Sequence, residues 1–173
     1  FVCGNGGSAS DADHIVGELM KQFRLPRPLP EELRSQLSKL PEEFSRPILA
    51  GLQAPLRAMA LGKQPALATA FANDVDPTLE FSQEILGYGR PGDVLLCLST
   101  SGNSNNVVAA ALVARATGMI PVAMTGSAGG RLAEVCKHTI RVSVDDTAEV
   151  QERHLPIYHA LCSALELAHF PPA

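Results

Sequence analysis

The sequence predicts an α/β fold, an open five-stranded parallel sheet flanked by helices on both faces. Two observations carry this reading. Short apolar runs at residues 1–3, 56–61, 93–98, 120–124 and 139–144 alternate with stretches of helical spacing, the pattern of buried parallel strands joined by crossover helices. The runs at 1–3 and 93–98 break into turn-forming loops, Gly4-Asn5-Gly6-Gly7-Ser8 and Ser99-Thr100-Ser101-Gly102-Asn103-Ser104, each followed by a helical pattern. In such sheets ligands bind beyond the carboxyl ends of the strands, so both loops are expected to face one crevice.

Taken in order, residues 1–3 form the first strand and 8–23 the first helix, which Pro26-Arg27-Pro28-Leu29-Pro30 stops. In 31–40, Leu33, Leu37 and Leu40 fall at i, i+4 and i+7, one apolar stripe on a short helix entered from Pro30. Another helix starts near Pro41-Glu42-Glu43. The whole proline-punctuated stretch 26–55 reads as a helical insertion outside the sheet. A strand at 56–61 resumes the alternation, and helices follow at 65–71 and 77–86, with Asp74 placed to cap the second. The strand 93–98 feeds an alanine-rich helix at 107–118. The strand 120–124 leads to a helix at 130–136, and the strand 139–144 to a last helix at 148–169, in which Pro156 removes the bond to the Glu152 carbonyl and could bend the axis.

A chain of 173 residues with 46% hydrophobic content is a single domain able to bury a core without staples. Its net charge of −4 argues against a nucleic-acid surface built on phosphate neutralisation. No apolar stretch approaches a membrane span. Cys3, Cys97, Cys136 and Cys162 lie far apart without a C-x-x-C pair and read as reduced, buried side chains of a cytoplasmic protein. The chain opens inside a strand pattern, so a helical segment is expected ahead of Phe1, and N-terminal targeting stays open.

The loop at 99–104 points to an anion. It sits at a helix N-terminus, where free N–H groups and the helix dipole favour negative charge, and Ser99, Thr100, Ser101 and Ser104 add hydroxyl donors. Serine and asparagine also favour ordinary helix caps, but four hydroxyls in six residues exceed what a cap needs. With no lysine or arginine in the loop, a phosphate monoester held by dipoles and hydroxyls is the expected ligand. On the first helix, His14 and Glu18 lie four apart, an imidazole and a carboxylate on one face, suited to a metal or to acid–base work. An exposed structural pair has the same spacing. On the last helix Gln151 and His159 are eight apart, about 80° beyond two full turns, so convergence is permitted rather than required. His154 is the alternative ligand. His138 and His169 are expected at the surface.

Together these pieces resemble a sugar isomerase (SIS) domain of flavodoxin-like three-layer architecture, and more narrowly the phosphoheptose isomerases. The matching segments are Gly4-Asn5-Gly6-Gly7-Ser8 with Asp11, His14 and Glu18; Asn73-Asp74; Gly92-Asp93-Val94-Leu95 running into residues 99–104; and Gln151-Glu152 with His159. The resemblance implies a homotetramer with active sites between subunits. It implies a sugar pocket lined by Asn5, Gly6, Gly7, Ser8, Asn73, Asp74 and Gln151, and a phosphate held by Ser99, Thr100, Ser101 and Ser104. It further implies zinc on His14, Glu18, Gln151 and His159, which is why His159 outranks His154. The implied reaction converts sedoheptulose 7-phosphate to D-glycero-D-manno-heptose 7-phosphate through an enediol, with Glu18 as base and His159 as acid.

Three departures qualify the resemblance: Gln22 stands where family members often carry an arginine, Thr147-Ala148-Glu149-Val150 where many carry an arginine and some an aspartate, and the 26–55 insertion is longer than usual. Two rival readings follow from the same residues. Gly4-Asn5-Gly6-Gly7-Ser8-Ala9 also fits a dinucleotide fingerprint, but the required acidic residue some twenty positions on, at the end of a second strand, is missing. A non-catalytic SIS module, binding a phosphosugar or a replication-initiator protein, would share the hydroxyl loop; retention of His159 with His14, Glu18 and Gln151 favours an enzyme.

Overall fold

The computed structural model describes residues 1–172. Four parallel strands, β1 (Val2–Cys3), β2 (Val94–Leu98), β3 (Ile120–Thr125) and β4 (His138–Arg141), lie in that order across one sheet. Five were expected, and the difference is the segment 56–61. It meets β1 only at one parallel bridge, Val2 with Ala60, through the bonds from Val2 N–H to the Met59 carbonyl and from Leu61 N–H to the Val2 carbonyl, both 2.9 Å. A two-residue β1 offers its outer edge room for no more. The last strand is also shorter than expected: Val142 N–H still donates to Thr125, but Val144 N–H turns back to Val142.

Eight helices flank the sheet among the described residues: α1 (Gly7–Met20), α2 (Glu31–Leu37), α3 (Glu42–Gly51), α4 (Pro65–Asp74), α5 (Glu80–Tyr88), α6 (Asn105–Ala116), α7 (Gly130–Val135) and α8 (Thr147–His169). The period-2 alternation of the strands sorts them into two layers. Val2, Leu98 and Met124 face α1 and α8, meeting Ala12, Ile15, Tyr158 and Cys162. Cys3, Leu95, Cys97 and Ala123 face the other way, onto Phe81, Ile85, Val107, Ala111 and Leu132 of α5, α6 and α7. Burying each large aliphatic side chain here contributes roughly 1.5–3 kcal/mol. All four cysteines are free and buried, as the sequence implied. Among the described residues, no helix is long and apolar enough to cross a membrane.

The insertion lies outside the sheet, as expected: Leu33 and Leu40 are about two-fifths exposed, and α2 packs chiefly on its neighbour α3. Asp74 is not a cap. Helix α4 runs through it, and Asp76 instead accepts the Thr78 N–H at 2.8 Å, opening a short 3-10 turn (Pro77–Leu79) ahead of α5. Pro156 does not break α8, which continues for 23 residues across it.

Candidate active site

The strand order puts β1 beside β2, so the two loops leaving their carboxyl ends are neighbours. They are tied together by a reciprocal amide pair: Asn5 Nδ2 donates to Asn106 Oδ1 and Asn106 Nδ2 to Asn5 Oδ1, both at 2.9 Å. The two loops are therefore neighbours at one edge of the sheet. Gly6, with φ +54 and ψ −122, turns the chain from β1 into α1 in a conformation that only glycine adopts readily. Asn5, Gly6 and Gly7 are exposed, whereas Ser8 is buried and packs beneath Gly4.

In the hydroxyl loop, Ser104 starts α6 without capping it. Its Oγ instead lies 3.0 Å from Ser99 Oγ, across the loop. Ser101 Oγ accepts the Asn103 N–H at 3.2 Å. Gly102, at φ +68, sits so close to the β3–α7 connection that a methyl group there would collide with the Gly129 carbonyl. The loop lacks its own cation, but Arg131 on α7 donates from Nη2 to the Asn103 carbonyl and to Asn105 Oδ1, bracing the loop from outside. Sequence reasoning missed Arg131, which lies outside the motif, and gave no role to Asn106 just after the loop.

Helices α1 and α8 bring the second cluster together. His14 Nε2 lies 3.3 Å from Glu18 Oε1 and 3.5 Å from His159 Nε2. His14 and His159 meet edge to face at 5.0 Å, and both pack edge to face with Tyr158. The Tyr158 hydroxyl is 3.0 Å from His14 Nδ1 and donates to Asp11 Oδ1 at 3.3 Å. Burial raises the pKa of Asp11, partly offset by the Tyr158 hydrogen bond, and burial with the Asp11 charge pushes Tyr158 up to about 12. Gln151 meets α1 at a different level. Its amide lies against Gly7, where an added methyl would stand 2.6 Å from Nε2. Gly7 and His14 are about 10 Å apart along α1, so the angular offset between Gln151 and His159 is resolved by contact at two heights of one helix.

The remaining candidates divide clearly. His154 is fully buried, and neither ring nitrogen has a hydrogen-bond partner. Burial lowers its pKa, only partly offset by the nearby Thr125 carbonyl and the Asp11 charge. His138 and His169 are exposed, as expected. Asn73 and Asp74 are exposed at the end of α4 and bond each other at 2.6 Å; no hydrogen bond ties them to the crevice.

Below the histidines, α1 ends in a buried ion pair that nothing in the sequence suggested. Arg27 Nε donates to Glu166 Oε1 at 2.7 Å, Nη1 to the Leu19 carbonyl at 2.6 Å and Nη2 to the Glu18 carbonyl at 3.0 Å. Glu166 also accepts the N–H groups of Phe23, Arg24 and Leu25. Burial would raise its pKa, but the three backbone donors and Arg27 bring it down to about 2. Arg27 thereby serves carbonyls at the end of the helix that carries Glu18, joining the Leu56 N–H on that of Leu19.

Two imidazoles and a carboxylate are donors that zinc accepts. The 3.3 and 3.5 Å separations around His14 Nε2 are close to the edges, about 3.3 Å, of a tetrahedron with arms of about 2.0–2.1 Å. Glu18 and His159 form no ion pair with each other, and no three His, Cys, Asp or Glu side chains among the described residues gather as a ready cation site. The donors fit zinc in kind and along two edges, with the third side open.

A hydroxyl loop at a helix N-terminus and a His–Glu–His chain between two helices, on a parallel sheet covered on both faces, have counterparts among known proteins. A model of the SIS domain matches residues 60–169, and the chain belongs to that family. Its relatives there are phosphosugar isomerases. The phosphoheptose isomerase of Mycobacterium tuberculosis (strain CDC 1551 / Oshkosh) is 40% identical over 172 residues, covering 99% of this chain and 74% of that protein. The phosphoheptose isomerase of Rhodospirillum rubrum is 38% identical, covering 96% and 74%. Among solved structures, phosphoheptose isomerase GmhA from Neisseria gonorrhoeae superposes with a TM-score of 0.74 at 32% identity, over 95% of this chain and 74% of that one.

Proposed function

We propose that this chain interconverts sedoheptulose 7-phosphate and D-glycero-D-manno-heptose 7-phosphate. The observation that carries the reading is the meeting of His14 and Glu18 of α1 with His159 of α8 at 3.3 and 3.5 Å, on the side of the sheet served by the glycine loop. A pure binding module needs the hydroxyl loop but has no use for that cluster. The relatives named phosphoheptose isomerase support the same substrate class.

Ser99, Thr100, Ser101, Ser104 and the N–H groups opening α6 grip the phosphate, and this anchor sets where the other end of the sugar lies. Asn5, Gly6, Gly7, Asn73, Asp74 and Gln151 contact the sugar hydroxyls. Glu18 removes the proton from the carbon beside the carbonyl and returns it to the neighbouring carbon, while His159 moves the proton on the adjacent oxygen. Zinc held by His14, Glu18 and His159 belongs to the same proposal and, when bound, would polarise the carbonyl as a Lewis acid; Gln151, packed against Gly7 about 10 Å from His14 along α1, stays with the sugar. A homotetramer with sites between subunits, located in the cytoplasm, completes it.

The test is incubation of the full-length, zinc-supplemented protein with sedoheptulose 7-phosphate in D2O, followed by NMR. Aldose formation with deuterium entering at C2 is expected. A folded sample that neither forms aldose nor exchanges the proton returns the chain to the binding-module class.

A further inference from the structure

We propose that Tyr158 and Asp11 are positioning residues for His14, holding its ring with the proton on Nδ1 and with a bare Nε2 turned toward Glu18 and His159. The function of this device rests on the isomerase reading; the tautomer itself does not.

Counting protons fixes the tautomer. The Tyr158 hydroxyl touches two groups, Asp11 Oδ1 at 3.3 Å and His14 Nδ1 at 3.0 Å, and has one proton to give. An ionised carboxylate can only accept, and a hydrogen bond to it is the stronger kind. The hydroxyl therefore donates to Asp11, and its oxygen accepts a proton from His14 Nδ1. With Nδ1 protonated, a neutral His14 keeps a lone pair on Nε2, the atom that faces Glu18 Oε1 and His159 Nε2. Tyr158 is 1% exposed, and the three rings pack edge to face at 5.0–5.4 Å, so the hydroxyl cannot swing to another partner. Without this couple, the neutral ring would place its proton on Nε2 to serve the Glu18 carboxylate. The lone pair in the crevice would then be lost, both for a metal and for any proton arriving from substrate.

Tyr158→Phe removes the hydroxyl and keeps the ring. In the full chain labelled with 15N-histidine, the His14 nitrogens, assigned by comparison with His14→Asn, are expected to show the Nδ1–H form in the wild type and a shift toward Nε2–H in Tyr158→Phe. Zinc titration by calorimetry should show affinity weakened about 10–100-fold, the usual effect of removing a partner behind a ligand histidine. With sedoheptulose 7-phosphate, kcat should fall while KM stays near its original value, because the phosphate loop is untouched. A wild-type His14 already protonated on Nε2, or a Tyr158→Phe protein with unchanged tautomer and zinc affinity, overturns the proposal. A wild type that fails to turn over any heptulose phosphate sinks the isomerase reading instead, and the tautomer and zinc measurements still decide this one.

Discussion

Arg27 and Glu166 form their 2.7 Å ion pair with both side chains essentially out of water, 0% and 1% exposed. Such a pair is stable only because each of its buried nitrogens and oxygens has a partner: three backbone N–H groups on the carboxylate and two α1 carbonyls on the guanidinium, besides the bond between the two side chains. Glu166→Gln would leave a buried cation without its counter-charge. The expected loss is about 3–5 kcal/mol in urea unfolding. A loss under 1 kcal/mol would show that the pair is replaceable.

The same carboxylate sets an acid limit. Its pKa is held near 2, below the ordinary 4.5, so its contribution is fully present above about pH 4.5 and drains away as the pH falls toward 2. Melting temperature should drop more steeply across that window in the wild type than in Glu166→Gln. Parallel curves would assign acid unfolding to other groups.

Two glycines should respond in opposite senses. Gly102→Ala puts a methyl on a residue at φ +68, at a cost of roughly 1–2 kcal/mol, and drives it into the Gly129 carbonyl, so the total loss should exceed that strain. Gly17, inside α1 with open space around it, should gain about 0.4–1 kcal/mol as alanine. Thermal melts of the two variants check both signs.

If the isomerase reading holds, Glu18→Gln and His159→Asn should each lower kcat by about 10²–10⁴. Binding of a non-reacting sugar phosphate should survive, since neither residue belongs to the hydroxyl loop. Calorimetry with that ligand separates the two effects, and loss of binding in both variants would count against the assigned roles.

Ser99→Ala breaks the 3.0 Å hydroxyl contact with Ser104 and removes one expected donor to the phosphate. A hydrogen bond to a charged group is worth about 1.5–3 kcal/mol, so KM should rise roughly 10- to 150-fold with kcat little changed. Steady-state kinetics will show it; a kcat effect alone would move Ser99 away from the phosphate.

The layer order and most helices were legible in the sequence because apolar period and turn chemistry are local signals. The fifth strand was not: 56–61 has a strand's composition, but whether it pairs depends on how much edge β1 exposes, and that edge is two residues long. The i, i+4 spacing of His14 and Glu18 put them on one face, and the structure adds His159 beside them. Tyr158 was hidden by its neighbour, since a tyrosine next to a histidine on an amphipathic helix looks like ordinary core. Arg27 was hidden by its setting. A cation between prolines gives no hint that it will be buried, because its partner lies 139 positions away.

The insertion enters and leaves through a closed base. Ala54 N–H donates to the Arg27 carbonyl at 2.9 Å, Leu56 N–H to the Leu19 carbonyl at 2.9 Å, and Gln22 N–H to Gln53 Oε1 at 2.8 Å. The α2–α3 hairpin therefore hangs like a bead on a knotted loop of thread. Its length and surface are free to drift, or to be trimmed to a tight turn by an engineer, without tugging on α1 beneath.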